Sequence, residues 1–184
     1  VALSVYIWNV EDTTRLVATL KAIRPELIVV IGGPEVSHET DGRRIVALAD
    51  YVITGPGERS FARLCAALLA GQRPADKMIA GEVADPDTLK APYALYTDED
   101  LARRNVYVEA SRGCPFRCQF CLSALDRTAV PFAVGPFLEE MDHLYRRGAR
   151  VFRFIDRTFN LKSQTATAIL RFFLERIERA PDDP

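Results

Sequence analysis

Leu27-Ile28-Val29-Val30-Ile31-Gly32-Gly33-Pro34 is an apolar, largely β-branched run closed by a glycine turn. Five such residues are too few for a helix and read as a strand buried on both faces, as in a parallel sheet. Working outward, Leu16, Val17, Leu20 and Ile23 recur at helical spacing behind the capping candidates Asp12 and Thr13, and Pro25 ends that helix. Residues 3–8 form another continuous apolar run and are predicted as a strand. Downstream come a weaker helix over 42–49, a strand over 51–54 and the loop Gly55-Pro56-Gly57-Glu58. A helix marked by Phe61, Leu64, Cys65, Leu68 and Leu69 follows, stopped by Gly71. Strands alternating with helices predict a parallel sheet with right-handed crossovers.

Residues 73–104 lose the alternation. Pro74, Pro86 and Pro92 interrupt them, and Asp85, Asp87, Asp98, Glu99 and Asp100 make them acidic, so they read as a linker. The alternation resumes with a short strand over 106–110. Next come a helix starting near Pro136, with Phe137, Leu138, Met141, Leu144 and Tyr145 inward, a strand over 151–155 and a helix over 162–179. The chain is thus expected to be α/β in three parts: a Rossmann-like, doubly wound domain over 1–72, a linker over 73–104, and two βα units over 105–184. Two units do not close a barrel. The chain also opens directly on an apolar run without an initiator methionine, so it is expected to be a piece of a longer protein.

With 24 basic and 25 acidic residues the 184-residue chain has a formal charge of −1. That balance offers no basic surface for nucleic acid. No run is long and apolar enough for a membrane span, and no segment reads as a signal peptide. Of four cysteines, three fall within eight residues. Clustered thiols without an export signal point to a reducing cytoplasm and to a metal rather than to disulfides.

Those three lie in Ser111-Arg112-Gly113-Cys114-Pro115-Phe116-Arg117-Cys118-Gln119-Phe120-Cys121. Iron–sulfur clusters are held by thiolates at short loop spacings. Three ligands leave the fourth iron of a 4Fe-4S cluster open to a substrate, as an open zinc site differs from a closed one. Other readings stay open: one face of a packed helix, a zinc site, or an electron-transfer cluster. Gly113 and Pro115 oppose the first, and no fourth ligand is near for the others, since Cys65 lies in a helical stripe.

The spacing Cys114-x-x-x-Cys118-x-x-Cys121, with Phe120 before the last cysteine, resembles the signature of the radical S-adenosylmethionine superfamily. The wider segment from Arg112 to Cys118 is similar to the subgroup with an N-terminal cobalamin-binding domain. The resemblance implies that Cys114, Cys118 and Cys121 bind a 4Fe-4S cluster whose open iron takes S-adenosylmethionine. It implies a fold in which residues 105–184 begin a partial TIM barrel, and reductive cleavage of S-adenosylmethionine to a 5′-deoxyadenosyl radical. The reaction would be a methyl transfer or an oxidative-cyclase-like step on an unidentified substrate. Phe120 and Asp156 would contact S-adenosylmethionine, and a flavodoxin or ferredoxin would supply the electron. Asp156 stands where relatives carry a Gly-Gly-Glu-like segment, and a structural carboxylate paired with Arg153 or Arg157 is the alternative. A piece with two βα units is expected to be no competent catalyst by itself.

In the first half, Ser4, Gly32, Gly33, Gly55, Gly57 and Glu58 resemble the cobalamin-binding elements of that subgroup, with Pro56 replacing a glutamate. Tight βα turns need glycine anyway, so the glycines alone do not decide. Replacing Gly33 by valine is expected to block cobalamin while leaving the fold. Trp8 is expected in the core. The competing account is a Rossmann-like binding module whose cysteine loop holds zinc or an electron-transfer cluster.

Overall fold

The apolar run before Gly32 does enter the middle of a parallel sheet, but only its end is strand. The computed structural model describes residues 1–125 and 129–179, and the chain divides into two units, Val1–Ala84 and Asp85–Pro184. In the first, β1 (Ala2–Ser4), β2 (Val30–Gly32), β3 (Tyr51–Thr54) and β4 (Met78–Ala80) lie side by side in that order, all parallel. The intervening helices are α1 (Val10–Ile23), α2 (Arg44–Leu48) and α3 (Glu58–Leu69). Strand side chains alternate between faces. Ile31 and Val52 pack with Val17 of α1 and Ile45 of α2, while Val30, Tyr51 and Ile53 pack with Leu64 of α3. Helices therefore cover both faces.

Side-chain competition trims the expected strands. The Val29 N–H donates to Asp50 Oδ2 at 2.7 Å, and Lys21 Nζ ties the same carboxylate to the carbonyl of Leu27. The strand consequently begins at Val30. After Ser4 the chain turns, because Asn9 Oδ1 accepts from the Tyr6 N–H at 2.8 Å and its Nδ2 donates to the Ser4 carbonyl at 3.1 Å. The turn places Trp8 outside the core, 75% exposed and stacked on Tyr6 at 4.6 Å between ring centroids.

The stretch 73–104 is not a linker. Met78–Ala80 is the fourth strand of the first sheet, and the Tyr51 hydroxyl donates to the Pro74 carbonyl at 3.1 Å. Beyond residue 84, Tyr93 and Leu101 are buried in the second unit's core, and the Tyr93 hydroxyl accepts from the Glu109 N–H at 3.1 Å. Burial pushes the Tyr93 phenol above its ordinary pKa. The prolines and acids that suggest a linker are turn and helix starters. Asp85 Oδ1 accepts from the Asp87 N–H, Pro92 opens a 3₁₀ turn, and Thr97 with Asp100 forms a capping box on α4 (Asp98–Arg103).

In the second unit β5 (Val106–Val108) pairs in parallel with β8 (Phe152–Phe154). Between them β6 (Ser111–Gly113) and β7 (Ala129–Pro131) pair antiparallel, a hairpin of which the alternation carries no sign. The last helices are α5 (Val134–Arg146) and α6 (Ser163–Arg179). Phe137, Met141 and Leu144 of α5 and Ile169 of α6 bury Val106 and Val108, and Phe154 meets Phe137, Phe159 and Phe173 edge-on or tilted. No helix among the described residues is long and apolar enough to cross a membrane.

Candidate functional site: a cysteine loop and a cleft

The β6–β7 hairpin closes the base of the cysteine loop. Gly113 pairs with Ala129, so the two ends of the cysteine loop lie side by side. Cys114, next to the strand, is half-buried, whereas Cys118 and Cys121 are exposed; all three are free thiols. A turn joins the latter two, the Cys121 N–H donating to the Cys118 carbonyl at 3.0 Å. Hydrogen bonds from the Ser123 side chain and then its N–H hold the Cys121 thiol below its usual pKa. Among the described residues no three His, Cys, Asp or Glu side chains are gathered as a metal site. The donor set suits an iron–sulfur cluster in kind and access: three reduced thiols, two of them open to solvent, on one tethered loop. Phe120 is 94% exposed.

Asp156 follows β8, and the bonds that hold its carboxylate come from a backbone amide and a hydroxyl. Its Oδ2 accepts from the Ala110 N–H at 3.0 Å, and its Oδ1 from the Ser111 hydroxyl at 2.6 Å. Ser111 is 3% exposed, so the carboxylate satisfies a buried hydroxyl while tying the end of β8 to the root of the cysteine loop. The Arg112 guanidinium pairs with Glu109 through two bonds, at 3.1 and 2.8 Å. Thr158, two residues beyond Asp156, donates its hydroxyl to Cys114 Sγ at 3.2 Å.

In the first unit the parallel strands end at one edge, where ligands of such sheets bind. A cleft of about 480 Å³ opens there. Ser4, Gly32, Gly33, Gly55, Gly57 and Glu58 all line it, joined by Tyr6 and Phe61, which no motif marks in the sequence. Register explains the grouping: Ser4 lies beside Gly32, and Gly32 beside Ile53. Gly57 occupies the N-cap of α3, so that helix's amino end borders the cleft. Two glycines play different parts. Gly33 has φ +112°, and a Cβ there would sit 2.6 Å from the Val5 carbonyl oxygen. What approaches its backbone is the protein itself, so valine at this position breaks the turn instead of merely blocking a ligand. Gly55, also on the lining, has φ +69°, but a Cβ there would meet nothing within 4 Å.

Residues 1–65 match the B12 binding domain family. The chain is 28% identical over 180 residues to an uncharacterized methyltransferase of Pyrococcus horikoshii, covering 86% of this chain and 39% of that protein. It is 31% identical over 132 residues to one of Synechocystis, covering 67% of this chain and 23% of the relative. The chain thus spans well under half the length of these relatives. Among solved structures, the radical S-adenosylmethionine methyltransferase TsrM of Kitasatospora setae, with cobalamin and a [4Fe-4S] cluster bound, superposes over 100% of this chain and 41% of its own. The TM-score is 0.68 at 18% identity, a likeness of fold. Residues 1–65 thus resemble a B12 binding domain, and the chain as a whole shares the fold of a radical S-adenosylmethionine methyltransferase.

Proposed function

We propose that this chain is the cofactor-binding part of an enzyme that reductively cleaves S-adenosylmethionine and starts radical chemistry on an organic substrate, with cobalamin as second cofactor. Methyl transfer is the reading the relatives' names favour, and an oxidative cyclisation is the alternative outcome of the same start. The observation that carries the proposal is the set of three free thiols on one hairpin-closed loop. Three ligands suit a cluster that keeps one iron open, whereas a closed zinc or electron-carrier site wants four.

Cys114, Cys118 and Cys121 would hold the cluster, which when bound supplies one electron to the sulfonium of S-adenosylmethionine. The rest is positioning by the chain. Asp156 fixes the root of the loop through Ala110 and Ser111. A carboxylate has about four acceptor sites, so it retains capacity for the ammonium of S-adenosylmethionine. Phe120 is free to lie against the adenosine. In the first unit, Gly55 and Gly57 would let a ligand approach the backbone, and the amino end of α3 favours a phosphate such as that of the cobalamin tail. Ser4 and Glu58 would supply polar contacts on an apolar floor of Val30, Ile31 and Ile53. The electron would come from a donor of flavodoxin or ferredoxin type.

The test is anaerobic reconstitution with iron, sulfide and zinc offered together, followed by titration with hydroxocobalamin. The proposal expects iron and sulfide at about four each per chain. It also expects quenching of Trp8, the sole tryptophan, which stacks on the cleft residue Tyr6. Zinc uptake in place of iron, or emission indifferent to cobalamin, contradicts it.

A further inference from the structure

Thr158 is far from the cysteine loop in sequence, yet its hydroxyl reaches Cys114 Sγ at 3.2 Å. The contact is prepared from the backbone. The Thr158 carbonyl accepts from the Ser111 hydroxyl and from the Leu161 N–H, each at 3.2 Å. Ser111 in turn donates to Asp156 at 2.6 Å, the shorter and charge-assisted branch of a shared proton. Asp156, Ser111, Thr158 and Cys114 thus form one chain of contacts linking the end of β8 to the first residue of the loop. Cys114 is also the half-buried thiol of the three, held against the hairpin, while Cys118 and Cys121 are exposed. It is the natural fixed point about which the other two would close.

A thiolate ligand has no proton to give, so in a metal-bound loop the hydroxyl can only be the donor. A donor to a ligand sulfur stabilises the more electron-rich, reduced cluster, and such bonds are among the main determinants of cluster potential. Neither partner is fully exposed, so water competes only in part for this bond.

We propose that Thr158 is a positioning residue for the cluster: by donating to Cys114 Sγ it holds that ligand in place and raises the cluster's reduction potential. The inference rests on the reading of Cys114, Cys118 and Cys121 as cluster ligands.

The experiment reconstitutes the full chain, Thr158→Val and Thr158→Ser anaerobically. It measures iron and sulfide per chain, then the midpoint potential by mediated dithionite titration followed by electron paramagnetic resonance. The expected result is equal iron in all three, a more negative midpoint in Thr158→Val, and a midpoint restored toward wild type in Thr158→Ser, which keeps the hydroxyl. Thr158→Val that takes up less iron while Thr158→Ser loads normally supports the same role. A fully loaded Thr158→Val with an unchanged midpoint overturns the inference and leaves the cluster reading standing. Equal displacement in both variants overturns it too, since the hydroxyl is then irrelevant. Wild-type protein that takes up no iron overturns the cluster reading itself, and the inference with it.

Discussion

At the scale of single residues, the three thiols are legible in the sequence because their chemistry lies in local spacing. Replacing Cys114, Cys118 and Cys121 together by alanine should abolish iron uptake, whereas Cys65→Ala should leave it intact, as measured by colorimetric iron analysis. Cys65 sits half-buried on α3 in the other unit. Loss of iron in Cys65→Ala would contradict the three-ligand reading. Gly33 shows what spacing hides: its partner, Val5, is distant in sequence and is brought near only by the sheet. Gly33→Val should destabilise the first unit by about 2–5 kcal/mol, from a positive-φ backbone conformation costing about 1–2 and overpacking of about 1–3. A urea midpoint unchanged from wild type would refute this. Gly55→Ala should lose about 1–2 kcal/mol, from its positive φ alone, and stay folded. It should nonetheless weaken cobalamin binding, because Gly55 lines the cleft and the added methyl narrows the backbone's approach to a ligand.

At the scale of elements, the run at 51–54 reads as a strand and is β3, since nothing competes for its ladder. The run at 27–31 loses its first half to the Asp50 carboxylate, a partner no periodicity reveals. The hairpin of β6 and β7 is hidden from a reading by pattern because each strand has three residues and the pairing spans the loop. Its link to β8 can be tested with Asp156→Ala, which leaves the Ala110 N–H without its acceptor and the Ser111 hydroxyl with the Thr158 carbonyl alone. One orphaned group at about 1–3 kcal/mol predicts a loss of roughly 1–3 kcal/mol in denaturant unfolding. A loss under about 0.5 kcal/mol would show the clamp to be idle. The capping box of α4 carries a pH dependence. Bonds from the Thr97 side chain, then its N–H, hold the Asp100 carboxyl below the usual carboxylate range. A group whose folded pKa is depressed stabilises above its unfolded pKa and loses that contribution as pH falls through the folded value. The protection of the Leu101 amide against exchange, relative to its intrinsic rate at each pH, should therefore fall in acid; that amide donates to the Thr97 carbonyl at 3.0 Å. In Thr97→Ala protection should already be low and less dependent on pH; equal acid sensitivity of protection in both proteins would refute the assignment.

At the scale of the whole molecule, the chain consists of two units, each with its own apolar core and its own candidate site. Strand–helix alternation discloses the α/β class because buried parallel strands need continuous apolar runs. The boundary between the units falls later than composition suggests, because turn-starting prolines and capping acids look like a linker until the core they serve is seen. The central claim is that the cysteine loop carries a cluster with one iron left open for S-adenosylmethionine. The direct measurement is the electron paramagnetic resonance spectrum of the reconstituted, dithionite-reduced chain, recorded with and without S-adenosylmethionine. The expected result is a four-iron signal whose g values shift when S-adenosylmethionine is added, and which is absent when the three cysteines are replaced. A four-iron signal indifferent to S-adenosylmethionine, or no such signal from protein that binds zinc instead, would contradict it.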